Sequence, residues 1–384
     1  MLYRTFGKLG YDVSQLGMGC MRLPRIYSED GRATVDREKA YELIRYAADH
    51  DVNYFDTAFG YHNQTSEEVL GEALEGERRS RVKIATKQPF FVMKTVADIR
   101  RNLENTLKKL RTDYIDVYLI HNIQQGSWPK IREREVIREY EKFRDEGLIR
   151  AIGFSYHGNF HAFKEILEFY PWDMCQVQQN IIDVDKEVTE QAIRIAGKRG
   201  TGLVIMEPLR GGGLACASDS VRNCYDAYPE PRTPAQWAFL HLIDYPQIST
   251  ILSGMTTMEQ LKENIGIFSN PKAHSGCLTL EEKVIIARAK EAYESRATIP
   301  CTACEYCLPC PNGVNIPGVF ERYNAGSMTD DFANPKRAYM FLERAGQGAS
   351  NCVECGVCEQ KCPQHIKIIQ SLKASHNTLS GWVE

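Results

Sequence analysis

Eight of the chain's thirteen cysteines fall between Cys301 and Cys362. They form two runs, Cys301-x-x-Cys304-x-x-Cys307-x-x-Cys310-Pro311 and Cys352-x-x-Cys355-x-x-Cys358-x-x-x-Cys362-Pro363. Thiolates at three-residue steps suit three corners of an iron–sulfur cubane. Structural zinc usually takes two well-separated Cys-x-x-Cys pairs around one tetrahedral ion. Four evenly spaced cysteines followed by Pro, seen twice, fit zinc poorly, so two [4Fe–4S] clusters on these eight ligands are expected. The other five, Cys20, Cys175, Cys216, Cys224 and Cys277, are scattered and read as packing residues. Among those five, Cys20 is the one expected to face a site.

A second set of residues carries different chemistry. Asp56, Tyr61, Lys87 and His121 each stand at or just beyond a short β-rich run. A phenol titrates near ~10, too high for easy proton exchange at neutral pH. An adjacent Lys⁺ favours the phenolate and should lower that value. A buried Asp can hold the Lys, the Tyr can protonate an oxygen that gains negative charge, and a neutral His can orient and polarise that oxygen. Taken singly, each has an ordinary explanation: a helix-capping Asp, a solvated Lys, a structural His. Together they are equipment for interconverting a carbonyl and an alcohol.

The elements that must position these four are legible as repeated strand–helix units. Strand-like runs Gln15–Gly19, Asn53–Asp56, Val82–Thr86, Ile115–Ile120, Ile149–Phe154, Met174–Val177, Gly202–Met206 and Ile248–Leu252 alternate with helix-like stretches. The helices are expected over Asp36–His50, from a cap at Ser66, and over Ala97–Leu110, Glu133–Asp145, Phe160–Phe169, Glu187–Lys198, Pro234–Ile243 and Thr257–Ile267. Eight such units match a (β/α)₈ barrel, whose sites lie at the C-terminal ends of the strands. A doubly wound dinucleotide fold would need G-x-G-x-x-G after its first strand. Gly17-Met18-Gly19 has Arg22 where the third Gly belongs. The fold class expected is α/β, a (β/α)₈ barrel over residues 1–296, followed by a small, mainly helical iron–sulfur domain over 297–384. A hairpin around Gly7–Gly10 opens the chain, and the strand–helix unit is the one repeat apparent.

Composition excludes several classes. A formal net charge of −3 gives no footing for nucleic acid or anionic membranes, and no apolar run approaches the ~18 residues a span needs. The start, Met1-Leu2-Tyr3-Arg4-Thr5-Phe6, lacks the pattern of a signal peptide. A cytoplasmic location is expected, where thiols stay reduced.

Asp56-Thr57-Ala58 with Tyr61, Thr86-Lys87 and Leu119-Ile120-His121 resemble the motifs of the aldo-keto reductases over roughly residues 1–270. That resemblance implies a catalytic tetrad of Asp56, Tyr61, Lys87 and His121, and NADPH, less often NADH, extended across the strand ends. It assigns Ser155 and Gln176 to the nicotinamide amide, with Tyr156 in place of an Asn. Met206 stands where many members stack an aromatic ring. Pro208, Leu209 and Gly211 match the loop over the pyrophosphate. Ser253, Gly254, Gln260, Glu263 and Asn264 match the adenosine end, with Gly254 replacing a Lys and Gln260 an Arg. The second cysteine run matches the bacterial ferredoxin run, in which the fourth Cys ligates the other cluster. That rule implies one cluster on Cys301, Cys304, Cys307 and Cys362, and the other on Cys352, Cys355, Cys358 and Cys310.

The halves pose an electron-counting problem. Nicotinamide moves two electrons as hydride and a cluster moves one, so direct exchange calls for a converter such as a flavin. Three readings stand. One is an NAD(P)H-dependent carbonyl reductase whose clusters are structural or serve a redox partner. Another is a ferredoxin-linked reductase in which clusters feed a substrate or flavin at the barrel mouth. The third is a redox-sensing binding protein. Phe59, Phe90, Trp128 and Tyr156 are candidates for an apolar pocket wall.

Overall fold

Eight parallel strands close into a barrel in chain order, each beside the next and the eighth beside the first. They are β1 (Leu16–Gly19), β2 (Tyr54–Asp56), β3 (Lys83–Pro89), β4 (Ile115–Ile123), β5 (Ile149–Tyr156), β6 (Met174–Gln178), β7 (Gly202–Met206) and β8 (Ile248–Ser253). This computed structural model describes residues 1–28, 33–184 and 190–381. Side chains alternate across each strand, and one set, including Tyr54, Ala85, Leu119, Ala151, Met174 and Val204, fills the barrel. The hairpin of Tyr3–Thr5 and Asp12–Ser14 supplies Phe6 and Val13 to that cluster. Gly202 makes the entry of Phe6 possible, since a Cβ there would lie 2.7 Å from the Phe6 ring.

The alternation then dictates the site. Two residues beyond Tyr54, Ala85, Leu119, Met174 and Val204 stand Asp56, Lys87, His121, Gln176 and Met206. The strand pleat therefore carries the interior face from apolar filling to the polar side chains of Asp56, Lys87, His121 and Gln176 at the C-terminal end, with Met206 still packed on the apolar cluster.

Helices form where caps and apolar stripes coincide. Arg37–Asp49 is capped by the Asp36 carboxylate, which accepts from the Lys39 amide, and buries Ala40, Leu43, Ile44 and Ala47. Val96–Lys109 begins with a reciprocal Thr95–Asp98 capping box. Other expectations are revised. Ser66 is the first helical residue and no cap: its hydroxyl donates to the Cys20 carbonyl and accepts from Thr57, tying the helix to the barrel. The expected Glu133–Asp145 helix forms over Val136–Asp145; a separate helix, Trp128–Glu133, precedes it, and the break falls at Glu135, which takes a left-handed φ of 52°. Of Glu187–Lys198, the described part is the helix Glu190–Lys198, and the first three residues lie outside the described set. Helices Asp219–Tyr225 and Ile368–Leu379 and the hairpin Arg25–Tyr27/Ala33–Val35 lie outside every expected element.

The chain divides into two compact units, Met1–Pro208 with Ala238–Leu278, and Leu209–Trp237 with Thr279–Glu384. The barrel strands all belong to the first. The second takes more chain than a boundary at 297 provides, because helix Leu280–Glu294 packs on Asp219–Tyr225. Its core gathers Val314, Val319, Phe320, Tyr339, Leu372 and Leu379, and six of the eight clustered cysteines pack against that core. Among the described residues no helix is long and apolar enough to cross a membrane.

Candidate active site

Lys87, buried to 1% exposure on β3, organises the barrel mouth. Its ammonium lies 2.5 Å from Asp56 Oδ1, 2.9 Å from the Thr57 carbonyl and 3.3 Å from the Tyr61 hydroxyl. Three donors thus meet three acceptors. The His121 ring stands edge-on to Tyr61, 5.9 Å between centroids. Asp56 is buried, whereas Tyr61 and His121 are only partly covered. The two groups able to meet a substrate therefore face outward, and the ion pair that orders them lies beneath. The turn carrying Tyr61 is strained: His62, Asn63 and Gln64 all have left-handed φ, between 49° and 71°. His62 Nε2 accepts from the Leu23 amide at 3.3 Å, which anchors that turn.

Electrostatics revise one expectation. The Tyr61 phenol titrates above its ordinary value, because burial outweighs the pull of Lys87, whose charge Asp56 largely compensates. Burial alone would lower the Lys87 ammonium, but Asp56 and Tyr61 beside it bring it above its usual value. Burial also raises Asp56, against the pull of Lys87. His121 is pushed down to about 3 by burial, by Lys87 and by His157, so its imidazole is neutral at physiological pH. The set is a protonated phenol, a neutral imidazole and a buried ion pair, which suits proton donation to an oxygen.

In the second unit, Cys301, Cys304, Cys307 and Cys362 line one pocket, walled by Ile316, Pro317, Phe320, Ile366 and Ile368. Cys310, Cys352 and Cys358 pack against the same apolar core, and Cys304 and Cys355 are exposed. The backbone repeats between the runs. Ala303 and Glu305 in the first, and Glu354 and Gly356 in the second, take left-handed φ of 52–77° at matching positions. Gly313 and His365, three residues past the last cysteine of each run, do so again, and a helix follows each at Ile316 and Ile368. Left-handed residues within such loops form the concavities of N–H groups that receive iron–sulfur clusters, so the residues fit the group. Among the described residues, no three potential ligands gather tightly enough for a single metal ion. A cubane spreads its thiolates over different irons and needs the wider ring. The repeat of run, turn and helix is a second internal repeat beside the strand–helix unit.

The aldo/keto reductase family model matches residues 15–284, and a 4Fe–4S dicluster domain matches residues 300–366. The chain belongs to the aldo/keto reductase family. It is similar to an uncharacterized oxidoreductase of Bacillus subtilis, 26% identical over 292 residues that cover 69% of this chain and 90% of the relative. Among solved structures it resembles an aldo-keto reductase from Bacillus halodurans in its holo form, with a TM-score of 0.62 at 25% identity, covering 75% of this chain and 96% of that one. A thermostable aldo-keto reductase in complex with the inhibitor epalrestat aligns with a TM-score of 0.61 at 28% identity, covering 75% and 100%. This aldo/keto reductase is an oxidoreductase whose chain carries a dicluster domain as well as a barrel.

The residues matched to a dinucleotide divide into three groups. Ser155 and Gln176 are direct partners across β5 and β6, and the buried Gln176 Oε1 has no hydrogen-bond partner. An orphaned acceptor at this depth suits the amide N–H of a nicotinamide. Met206 sulfur lies 3.7 Å from Gln176 Nε2. At the other end, Asn264 donates to Ser253 at 3.0 Å, both buried, while Gly254 and Glu263 are exposed. Gln260 is engaged elsewhere: its Oε1 accepts from the Thr256 and Thr257 amides at 2.8 and 3.3 Å and completes the capping box of helix Met258–Ser269. Pro208 is buried at the end of the first unit's segment, whereas Leu209 and Gly211 belong to the second, where the Gly211 carbonyl accepts from Asn334 at 2.8 Å.

Three residue readings change. Tyr156 has the opposite strand parity to Ser155, so its ring packs on Phe163 of helix Phe160–Phe169 and its hydroxyl donates to the Asn159 carbonyl. Trp128 packs against Phe169 and donates to Glu165. Neither is a pocket wall. Cys20 is fully buried, and burial first, then Asp56, raises its thiol out of the reactive range. Three residues that bear on the site are absent from the sequence expectations. Glu67 lies buried beneath it, accepting from Thr86 at 2.7 Å and Thr106 at 3.2 Å. Arg22 and Glu207 face each other at the mouth, 3.7 Å apart. Their one sequence signal is position immediately past β1 and β7.

Proposed function

We propose that the chain reduces a small-molecule carbonyl to an alcohol, or runs the reverse, with a nicotinamide dinucleotide and with Asp56, Tyr61, Lys87 and His121 as its working residues. The observation that carries this is the Lys87 ammonium, buried between Asp56 and Tyr61 at the open end of the barrel beside a neutral His121. Ser155 and Gln176 would hold the nicotinamide amide, and Ser253 and Asn264 would frame the adenosine end. Bound nicotinamide supplies the hydride. Tyr61, protonated at neutral pH, gives its hydroxyl proton to the carbonyl oxygen as negative charge develops there. Lys87 stabilises the phenolate left behind, and Asp56 keeps Lys87 charged and in place. His121 orients the same oxygen as a neutral donor. In the oxidative direction Tyr61 takes the proton back.

The ligand groups proposed for the two [4Fe–4S] clusters are Cys301, Cys304, Cys307 with Cys362, and Cys352, Cys355, Cys358 with Cys310. The shared cavity supports the first. The clusters brace the second unit or exchange electrons with an external carrier. Exposure of Cys304 and Cys355 favours a second reading, in which ferredoxin feeds a reduction at the barrel. The deciding experiment is anaerobic turnover of NADH or NADPH with simple aldehydes by wild type and by Tyr61→Phe. Turnover that the variant loses supports the reductase reading. Turnover with reduced viologen alone would replace it with the ferredoxin-linked one.

A further inference from the structure

Two residues ahead of the first cysteine of each run, a side chain holds one backbone amide, and the two holders differ in charge. Ahead of Cys301, the Ile299 amide donates to Asn324 Oδ1 at 3.0 Å, and the Asn324 side chain donates back to the Ile299 carbonyl at 2.7 Å. Ahead of Cys352, the Ser350 amide donates to Glu343 Oε1 at 3.3 Å, and the Ser350 hydroxyl donates to Oε2 of the same carboxylate. Asn324 stands on helix Ile316–Thr329 and Glu343 on helix Ala333–Arg344. The matching place in the repeat is thus taken by a neutral amide in one run and by an acid in the other.

Glu343 is the centre of a network that closes on the second run from both sides. Tyr339, one turn earlier on the same helix, donates its hydroxyl to Glu343 and accepts from the Ala349 amide at 3.0 Å. His376 Nδ1 lies 2.7 Å from the Tyr339 hydroxyl and 3.5 Å from Glu343 Oε1. It belongs to helix Ile368–Leu379, which follows the run. Gly348 makes room for the carboxylate, which a Cβ at that position would overlap. Burial raises the Glu343 carboxyl, but hydrogen bonds from Ser350 and Tyr339 outweigh it and hold the group below its usual range. Glu343 is therefore a fixed negative charge at neutral pH.

We propose that Glu343 is a positioning residue for the second cluster, setting the turn that delivers Cys352 and lowering that cluster's reduction potential by its charge. The proposal rests on the ligand grouping above, in which this cluster takes Cys352, Cys355, Cys358 and Cys310. A fixed anion beside a cluster opposes the arrival of an electron, and net charge and hydrogen bonding set such potentials. Asn324 anchors the first run in the same way without that charge. The two anchors bias a shared electron toward the cluster of the first run.

The test is an anaerobic potentiometric titration of the full-length, cluster-loaded protein at fixed pH, followed by electron paramagnetic resonance. Each signal is assigned by its absence from Cys301→Ala or from Cys358→Ala. Glu343→Gln keeps the shape of the side chain and removes the charge. It favours reduction of the second cluster by on the order of tenfold, a rise of about 59 mV for one electron, and leaves the first cluster in place. Asn324→Asp makes the converse change and lowers the midpoint of the first cluster alone. Tyr339→Phe removes the bond to the Ala349 amide but keeps the carboxylate, so it alters the second cluster's signal without that rise. A midpoint unchanged in Glu343→Gln, or both clusters shifted equally, overturns the proposal while the ligand grouping stands. Should Glu343→Gln lose the second cluster, positioning is supported and Asn324→Asp decides the electrostatic part: an unmoved first cluster overturns it. A wild type that holds fewer than two clusters overturns the parent reading and this one with it.

Discussion

Lys87 and Asp56 form an ion pair 2.5 Å long that is closed to solvent, with side-chain exposures of 0% and 4%. Removing one partner of such a pair leaves an uncompensated buried charge, which typically costs ~3–5 kcal/mol. Lys87→Met and Asp56→Asn should each lower stability by about that amount in anaerobic urea unfolding. The double variant should lose less than the sum, because it leaves no charge stranded.

Tyr61 is expected to supply the proton, so Tyr61→Phe should slow carbonyl reduction by on the order of 10²–10⁴. Its phenol titrates above the ordinary 10.0. Reduction by the wild type should therefore stay level from neutral pH through 9 and decline only beyond 10, which an anaerobic pH–rate profile reads directly. An alkaline limb near pH 8 would assign the proton to another group.

His121 makes a prediction about stability. Its folded-state value of about 3 lies below the ordinary 6.5, so between those values the unfolded chain binds a proton that the folded chain refuses. Stability from this source is full above pH 6.5 and is lost as pH falls toward 3. His62, lowered to about 4 by burial and then by Arg25, adds to the same trend. Replacing His121 with Asn should flatten the fall in stability between pH 7 and 5, measured as the unfolding midpoint in urea.

Tyr156 faces the helix layer, and its hydroxyl bonds to the Asn159 carbonyl at 2.7 Å. Tyr156→Phe should cost about 1 kcal/mol of stability and leave the KM for the nucleotide unchanged. A several-fold rise in that KM would instead put Tyr156 at the cofactor site.

Cys362 shares a cavity with Cys301, Cys304 and Cys307. Cys362→Ala and Cys301→Ala should therefore weaken the same cluster. Each should lose about half the iron, and the two variants should retain the same electron paramagnetic resonance signal. Different residual signals would regroup the ligands.

The barrel was legible because its strands are short apolar runs at even spacing, and because interior parity places Asp56, Lys87 and His121 on one face. Tyr156 was misread because similarity of position says nothing of parity, which the preceding Ser155 settles. Gln260 looked like a lost cation, yet its spacing from Thr257 is that of a capping box, a local signal that was available. The lowered phenol expected from Lys87 failed because the pairwise view omitted both burial and the neutralising Asp56. Arg22 and Glu207 were invisible, since only the closure of β8 onto β1 brings residues 22, 207 and 254 together. The second unit's use of residues 209–237 was equally non-local.

The central claim is direct hydride transfer at the Tyr61 site. Its most direct measurement is anaerobic reduction of an aldehyde with NADH or NADPH carrying deuterium at the transferred position of C4, followed by mass analysis of the alcohol. The account predicts one deuterium on the carbinol carbon of every product molecule, and the same outcome whether the clusters start oxidised or reduced. Unlabelled alcohol whose new hydrogen comes from solvent would contradict it and route the electrons through the clusters.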